Sequence, residues 1–213
     1  MVENSRRIAL VAMFGVLLVS LYYYSELPAQ MATHWDANGV ANGFLDRDVA
    51  LFLLPGISVV VYLVLMLMPY IDPLGKNVRH FHDSYELLAL AFVLFLSYLQ
   101  GLSLLYNLGK DFNMIVALIP AFAGLLFILG RMLAVVKRNW TVGIRTPWTM
   151  SSDKVWDRTH SVGSVLYQVS AVLTLGGVLV QDKAVFFLLV PVLATSIFLV
   201  IYSYKEYRKI GGG

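Results

Sequence analysis

The sequence contains no cysteine and little charge, and both absences narrow the classes of protein that it can encode. Without cysteine there is no disulfide framework, no thiolate nucleophile and no thiolate metal site. Charged residues make up only 14% of the 213 residues, whereas an average soluble domain has about a quarter. Hydrophobic residues make up 59%, which one small water-soluble core cannot bury. The composition predicts a protein that resides in lipid.

Six apolar segments are long enough to cross the hydrocarbon core of a bilayer, which takes roughly 17–25 residues of helix. They cover about residues 8–24, 49–71, 87–108, 114–136, 161–181 and 184–204. We therefore predict an all-α, polytopic membrane bundle of about six transmembrane helices. The first segment lacks a small-residue cleavage pattern before Glu26, so we interpret it as a retained span rather than a signal peptide.

The lysines and arginines predict the orientation of the bundle, because cytoplasmic loops are enriched in them. With the N-terminus inside, thirteen of the sixteen lie on the inner side: Arg6, Arg7, Lys76, Arg79, Arg131, Lys137, Arg138, Arg145, Lys154, Arg158, Lys205, Arg208 and Lys209. Only Arg47, Lys110 and Lys183 lie on the outer side. We expect both termini to be cytoplasmic, with the acidic segment 25–48 as the first outer loop.

Three of the spans carry a proline at nearly the same depth, namely Pro55, Pro120 and Pro191. This pattern favours three helical hairpins, although proline is also generally common in membrane helices. The corresponding regions are 1–71, with two helices and the acidic outer loop, then 72–136, with a central hairpin, and 137–210, with a polar loop and the last hairpin.

The distribution of acidic and basic residues argues against two specific functions. No span has an acidic residue in its middle, and such residues mark proton and cation relays. The basic residues lie at the edges of the inner loops, where the orientation of a membrane protein alone requires them. The sequence therefore gives no support for an ion pump or for nucleic-acid binding.

The second inner loop, residues 137–160, is the most unusual polar stretch of the chain and contains three of the four tryptophans. Ser151 or Ser152 before Asp153 predicts a helix start, and we expect a short interfacial helix there, anchored by Trp156. An ordinary interfacial loop would also gather tryptophans and cations. The candidate binding residues for a partner or ligand are Asn139, Arg145, Thr146, Pro147, Trp148, Thr149, Ser151, Trp156, Thr159 and His160.

Residues on the same side of the membrane allow two enzymatic interpretations. Histidines and a glutamate cluster in the first inner loop, but without the His-Glu-x-x-His motif of zinc enzymes. The candidate metal ligands are His80, His82, Glu86 and His160. Ser151, Asp157 and His160 are also neighbours, but no nucleophile elbow accompanies them. We assign no catalytic residue and expect no cofactor.

The second inner loop also carries a signature. The run Arg145-Thr-Pro-Trp-Thr149, followed by Trp156 and the Thr159-His160 pair, resembles the SdpI family. Members of this family are bacterial membrane proteins named for immunity to a secreted killing peptide. The resemblance is most specific over residues 139–163.

Two other stretches extend this resemblance over most of the chain. Leu27-Pro28, His34-Trp35 and Gly39 resemble an N-terminal domain of unknown function that is often fused to the family. The match is looser at Ala32, where members usually have a second proline. Asp72-Pro73, Asn77 and Tyr85 resemble the first inner loop of the family.

The resemblance implies immunity to an extracellular peptide toxin, coupled in the best-known system to capture of a repressor at the membrane. His34 and Trp35 would then meet the toxin outside, and the 139–160 loop would receive a cytoplasmic protein. The bilayer is the remaining partner. A transporter or exporter of a small amphipathic molecule or peptide is the main alternative, because broken helices often frame binding sites. A His-dependent or metal-dependent membrane enzyme is the second alternative.

Overall fold

Six long helices form the bundle, as the sequence predicts. The computed structural model describes residues 2–211, so Met1 of the predicted first region lies outside the described residues. The long helices are α1 (Val2–Tyr22), α2 (Arg47–Ile71), α4 (His82–Asn107), α5 (Met114–Leu133), α7 (Asp153–Leu175) and α8 (Ala184–Lys209). All six are long and apolar enough to cross a membrane. The protein is a multi-pass membrane protein with an all-α bundle.

The two ends of the bundle carry different elements. The "termini end" holds the start of α1, the start of α4, the start of α7 and the end of α8, because Arg6 pairs with Glu86 and Arg158 pairs with Glu206. It also holds two short helices, α3 (Gly75–Val78) and α6 (Pro147–Ser151). The opposite "hairpin end" holds the segment between α1 and α2.

A β-hairpin covers the hairpin end, and the sequence analysis did not predict it. Strand β1 (Gln30–Trp35) pairs antiparallel with β2 (Ala41–Asp46), with irregular register around His34. Asp36 closes the turn by accepting hydrogen bonds from the amides of Asn38 (2.8 Å) and Val40 (3.0 Å). Gly39 has a φ of +81°, which glycine adopts without steric cost. Asp36 and Gly39 are therefore the turn signals in this loop.

The start of α7 corrects one expectation. No separate interfacial helix runs from Ser152 to a span beginning near residue 161, because α7 continues without a break from Asp153 to Leu175. The predicted helix start itself is confirmed, since the Ser152 side chain accepts a hydrogen bond from the amide of Val155. No proline interrupts the following 22 residues, so nothing ends the helix at the interface. Trp156 and His160 consequently lie in the first two turns of a spanning helix.

The helices pack as two groups of three. Helix α4 packs against both α1 and α2, which contact each other only sparsely, and α7 packs against both α5 and α8. The groups meet where α4 contacts α5. Pro55, Pro120 and Pro191 lie inside α2, α5 and α8 respectively. The division into regions 1–71, 72–136 and 137–210 stays a prediction.

Candidate functional site

The second inner loop has a fixed course at the termini end. Its short helix α6 begins with a capping box, in which Thr146 Oγ1 accepts from the amide of Thr149 (3.2 Å) and Thr149 Oγ1 accepts from the amide of Thr146 (2.9 Å). Pro147 occupies the first turn of α6, where its missing N–H costs nothing. Thr146 Oγ1 also lies 3.1 Å from Ser203 Oγ on α8, so the loop is attached to the last span.

Asn139 organises the beginning of this loop from inside the protein. Its side chain is fully buried. The amide nitrogen donates to the carbonyl of Lys137 (2.7 Å), while Oδ1 accepts from the amides of Thr141 (2.8 Å) and Val142 (2.7 Å). A short polar side chain that replaces backbone partners in this way stabilises a turn.

The first inner loop holds the second one in place. Asp72 Oδ2 accepts from the amide of Trp140 (2.8 Å) and from Thr141 Oγ1 (2.6 Å). Asn77 donates from its side chain to the carbonyl of Arg138 (2.7 Å). Asp72 was not among the candidate site residues, although an Asp-Pro pair directly after a span is a recognisable turn signal.

Trp156 and His160 form the wall against which the loop packs. Their rings stack with centroids 3.9 Å apart, and both side chains are almost fully buried. Trp156 Nε1 donates to the carbonyl of Val136 (3.0 Å). His160 Nε2 accepts from the amide of Ile144 (2.8 Å), so the ring proton is on Nδ1, which donates to the carbonyl of Trp156 (2.8 Å).

The predicted binding residues divide into two groups by exposure. Six of them are buried and support the loop from within: Asn139, Thr146, Thr149, Trp156, Thr159 and His160. The others reach the surface: Arg145, Pro147 and Ser151 are exposed, and Trp148 is half-buried against Tyr204 with ring centroids 5.1 Å apart. Trp140 is 55% exposed beside them. We call Trp140, Arg145, Pro147, Trp148 and Ser151 the loop platform.

The structure does not assemble the predicted metal ligands or a catalytic triad. Within residues 2–211 no group of three His, Asp or Glu side chains is placed to hold a metal ion. His82 Nε2 lies 3.6 Å from a Glu86 oxygen, but Glu86 also pairs with Arg6, and His80 is exposed. Both nitrogens of His160 are engaged by the backbone, and Ser151 Oγ donates to the carbonyl of Trp148.

The hairpin end contains the other two predicted residues. His34 is exposed, with Nδ1 2.5 Å from Asn42 Oδ1. Trp35 packs edge-on against Tyr106, with ring centroids 5.3 Å apart. The two residues share a cavity of 290 Å³ whose wall is otherwise mostly apolar, with Leu53, Leu54, Leu99, Met114, Ile115 and Leu118 in its lining.

Two asparagines that the sequence analysis missed attach the hairpin to the bundle. Asn107 at the end of α4 accepts from the amide of Ala32 (2.7 Å) and donates to the carbonyl of the same residue (3.0 Å). Asn113 caps α5 and donates to the carbonyl of Asn38 (2.9 Å). The sequence signal for these contacts was the presence of an asparagine at each end of the connection between α4 and α5.

Comparison with known proteins confirms the resemblance. Residues 135–203 match the SdpI/YfhL protein family, and residues 11–59 match the Domain of unknown function (DUF1648). The "Immunity protein SdpI" of Bacillus subtilis (strain 168) is 24% identical over 196 residues, which cover 92% of each chain. No solved structure matches the chain. The first matching segment contains the loop platform, and the second contains the β-hairpin.

Proposed function

We propose that this chain, which carries both the SdpI/YfhL segment and the DUF1648 segment, is a membrane immunity protein against a secreted peptide toxin. One observation carries the proposal. The alignment with the relative named immunity protein covers 92% of both chains, so the similarity extends over nearly the whole chain rather than over one segment.

The proposed orientation puts the loop platform inside the cell and the hairpin outside. Thirteen of the sixteen lysines and arginines belong to the termini end, and three belong to the hairpin end. Cytoplasmic segments next to spans carry such an excess. Both termini are then cytoplasmic, and a toxin that arrives from outside meets the hairpin first.

The cavity beneath the hairpin is the proposed contact for the toxin. It is lined by His34, Trp35 and apolar side chains of α2, α4 and α5. Elsewhere on the hairpin, Val40 and Phe44 are 60% and 55% exposed. A membrane-active peptide has apolar side chains that would fill such a cavity. The Trp35 Nε1 donor is buried without a partner among the described residues, so a peptide carbonyl that reached it would satisfy a buried donor.

The loop platform is the proposed contact for a cytoplasmic protein, such as a repressor. Tryptophan and arginine are the residues that most often dominate protein interfaces, and the platform offers Trp140, Trp148 and Arg145. Asp72 and Ser203 fix the loop at both ends. Partner binding would therefore require little ordering of the loop, which lowers its cost.

The test is killing of a sensitive host by candidate secreted peptides, with and without expression of this protein. Wild type is expected to raise the lethal peptide concentration. Trp35→Ala is expected to remove most of that protection, whereas Trp35→Phe, which keeps an aromatic ring but loses the Nε1 donor, is expected to remove part of it. Failure of wild type to protect, at verified membrane levels, would contradict the proposal.

The inner surface needs its own readout, because protection and partner binding are separate functions. Arg145→Ala removes an exposed side chain, and Lys154→Ala removes an exposed cation close by as the matched control. We expect Arg145→Ala to weaken retention of a cytoplasmic partner at the membrane, and Lys154→Ala to have no effect. If both variants retained the partner equally, the result would contradict the proposal that the loop platform contacts a cytoplasmic protein.

Transport of an amphipathic molecule is the second candidate function. Leu53, Leu54 and Leu118 line the cavity beneath the hairpin, directly ahead of Pro55 and near Pro120. Interrupted helices frame the binding sites of many transporters. Uptake of a labelled peptide into proteoliposomes, lost in Pro120→Ala, would favour transport over simple binding.

The structure disfavours the enzyme alternative. Both nitrogens of His160 already have backbone partners, so the ring is not available as a general base or as a metal ligand.

A further inference from the structure

A second cavity lies at the termini end, between α1, α2 and α4. Its volume is 460 Å³, within the range of about 300–1,000 Å³ that is typical of ligand sites. One wall is apolar and comes from the last turns of α2, with Leu65, Met66 and Pro69. The remaining wall is polar: it contains Arg6, Asp72, Lys76, Arg79, His82 and Glu86.

The two carboxylates of this cavity are already neutralised or engaged. The Glu86 side chain is 3% exposed and accepts from Arg6 Nε (3.0 Å) and Arg6 Nη2 (2.5 Å). Asp72 Oδ1 accepts from the amide of Leu74 (2.7 Å), and Oδ2 accepts from Trp140 and Thr141. Neither carboxylate therefore needs Lys76 or Arg79 as a partner.

The cations of the cavity are, in contrast, in excess. Lys76 and Arg79 are exposed and have no carboxylate within ion-pair distance among residues 2–211. Arg6 keeps 46% of its side chain exposed despite its bond to Glu86. Two cationic side chains without a carboxylate partner, Lys76 and Arg79, thus border a space whose acids are satisfied, and the exposed part of Arg6 adds to them. Such a space attracts an anion, and arginine matches the geometry of a phosphate group.

We propose that this cavity binds the phosphate group of an anionic phospholipid. The position favours a lipid over a soluble ion, because the cavity lies where three spans leave the bilayer and one of its walls is apolar. Basic pockets between spanning helices on the cytoplasmic side bind acidic lipid head groups in this way. Lys76 and Arg79 hold the phosphate, while Leu65 and Met66 contact the start of the acyl chains.

The site adjoins the anchor of the second inner loop. Asp72 lines the cavity and also holds Trp140 and Thr141. A bound head group consequently lies one side chain away from the loop platform. The proposal does not depend on the immunity function, because it concerns the lipid around the protein.

Native mass spectrometry of the full-length protein tests the proposal. The protein is extracted from vesicles of equal parts phosphatidylglycerol and phosphatidylcholine, and the retained lipids are counted. Wild type is expected to retain phosphatidylglycerol preferentially. The double variant Lys76→Gln/Arg79→Gln is expected to lower that preference about thirtyfold, since each of the two basic residues near the surface contributes about 1 kcal/mol. The matched control, Lys205→Gln/Arg208→Gln, removes two exposed cations of the same end outside the cavity and should keep the preference.

The possible outcomes distinguish a lipid phosphate from inorganic phosphate, and they distinguish binding in the cavity from attraction by surface charge. A thermal shift caused by inorganic phosphate in lipid-free detergent, and lost in the cavity variant, would support the phosphate site but assign it to a soluble ion. An equal loss of preference in both double variants would overturn the proposal, because surface charge alone would then explain it. No preference in wild type and no shift with inorganic phosphate would overturn it as well.

Discussion

The imidazole of His160 stacks on the indole of Trp156, one turn earlier on the same helix, with ring planes inclined by only 21°. The pair holds the second inner loop at two points, because Trp156 Nε1 donates to the carbonyl of Val136, directly before the loop, and His160 Nε2 accepts from the amide of Ile144 within it. Residues that looked like a binding surface in the sequence thus act as internal support for that loop.

Replacing His160 by alanine should therefore release the loop without unfolding the bundle. The substitution removes the acceptor of a buried amide and leaves a void beside Trp156, which together cost about 2–4 kcal/mol. Tryptic cleavage after Arg138 and Arg145 should accelerate at least about tenfold. His80→Ala, at an exposed position of the same membrane side, is the control and should cleave like wild type. Unchanged cleavage of the His160 variant would contradict the supporting role.

Gly143 is the position where the loop comes closest to this pair. Its φ is +121°, and an added Cβ would lie 2.6 Å from His160 Nε2 and 2.9 Å from Trp156 Cη2. Gly143→Ala combines backbone strain of about 1–2 kcal/mol with a steric clash. Gly109→Ala is the matched control, because Gly109 also has a positive φ (+80°) but has no atom near the added Cβ. The Gly143 variant should lower the thermal unfolding temperature in detergent clearly more than the control; equal losses would rule out the clash.

The spans could be predicted from sequence, since apolar length alone identifies them. Their ends could not be predicted as well, because helices such as α7 and α8 continue past the hydrocarbon into polar residues. At Asp153 the expected interfacial helix and the expected span are one helix. Nothing in the local pattern distinguishes those two cases, because both bury Trp156.

The candidate site was only partly predictable for a different reason. The signature residues were identified, but their exposure depends on contacts distant in sequence. Asp72 meets Thr141 across 69 residues, and Thr146 meets Ser203 across 57. The hydrophobic periodicity of a sequence does not indicate contacts between residues so far apart in the chain. The β-hairpin was missed because its strands are only six residues long and because turn residues such as Asp36 and Gly39 are equally common in loops without strands.

Asn107 should control how firmly the hairpin is attached. Asn107→Asp keeps the acceptor for the amide of Ala32 but loses the donor to its carbonyl, and it puts a carboxylate beside that carbonyl. Losing one such bond costs about 1–3 kcal/mol, so deuterium uptake by residues 30–35 should increase about tenfold. Asn42→Asp, at an exposed position of the same hairpin, is the control. If both variants raised the uptake equally, added charge rather than the Asn107 contact would be responsible.

The ion pair of Arg6 and Glu86 should stabilise the contact between α1 and α4. Glu86 is 3% exposed and Arg6 is 46% exposed, so Arg6→Gln leaves a buried carboxylate with only His82, 3.6 Å away. Breaking a buried pair costs about 3–5 kcal/mol, and the exposure of Arg6 reduces this to about 2 kcal/mol. The double variant Arg6→Gln/Glu86→Gln should recover most of the loss, because no buried charge remains. The measurement is thermal unfolding in lipid-free detergent, where bound lipid does not contribute.

Arg7 provides the matched control for this ion pair. It pairs with Glu3 at 2.5 Å, the same distance as in the Arg6 pair, but the side chains of Arg7 and Glu3 are 71% and 79% exposed. Exposed pairs contribute about 0–1 kcal/mol, so Arg7→Gln should leave the unfolding temperature nearly unchanged. An equal loss in Arg6→Gln and Arg7→Gln would show that the N-terminal charge matters rather than the burial of Glu86. A double variant no more stable than Arg6→Gln would lead to the same conclusion, because removal of the buried carboxylate would then have no effect.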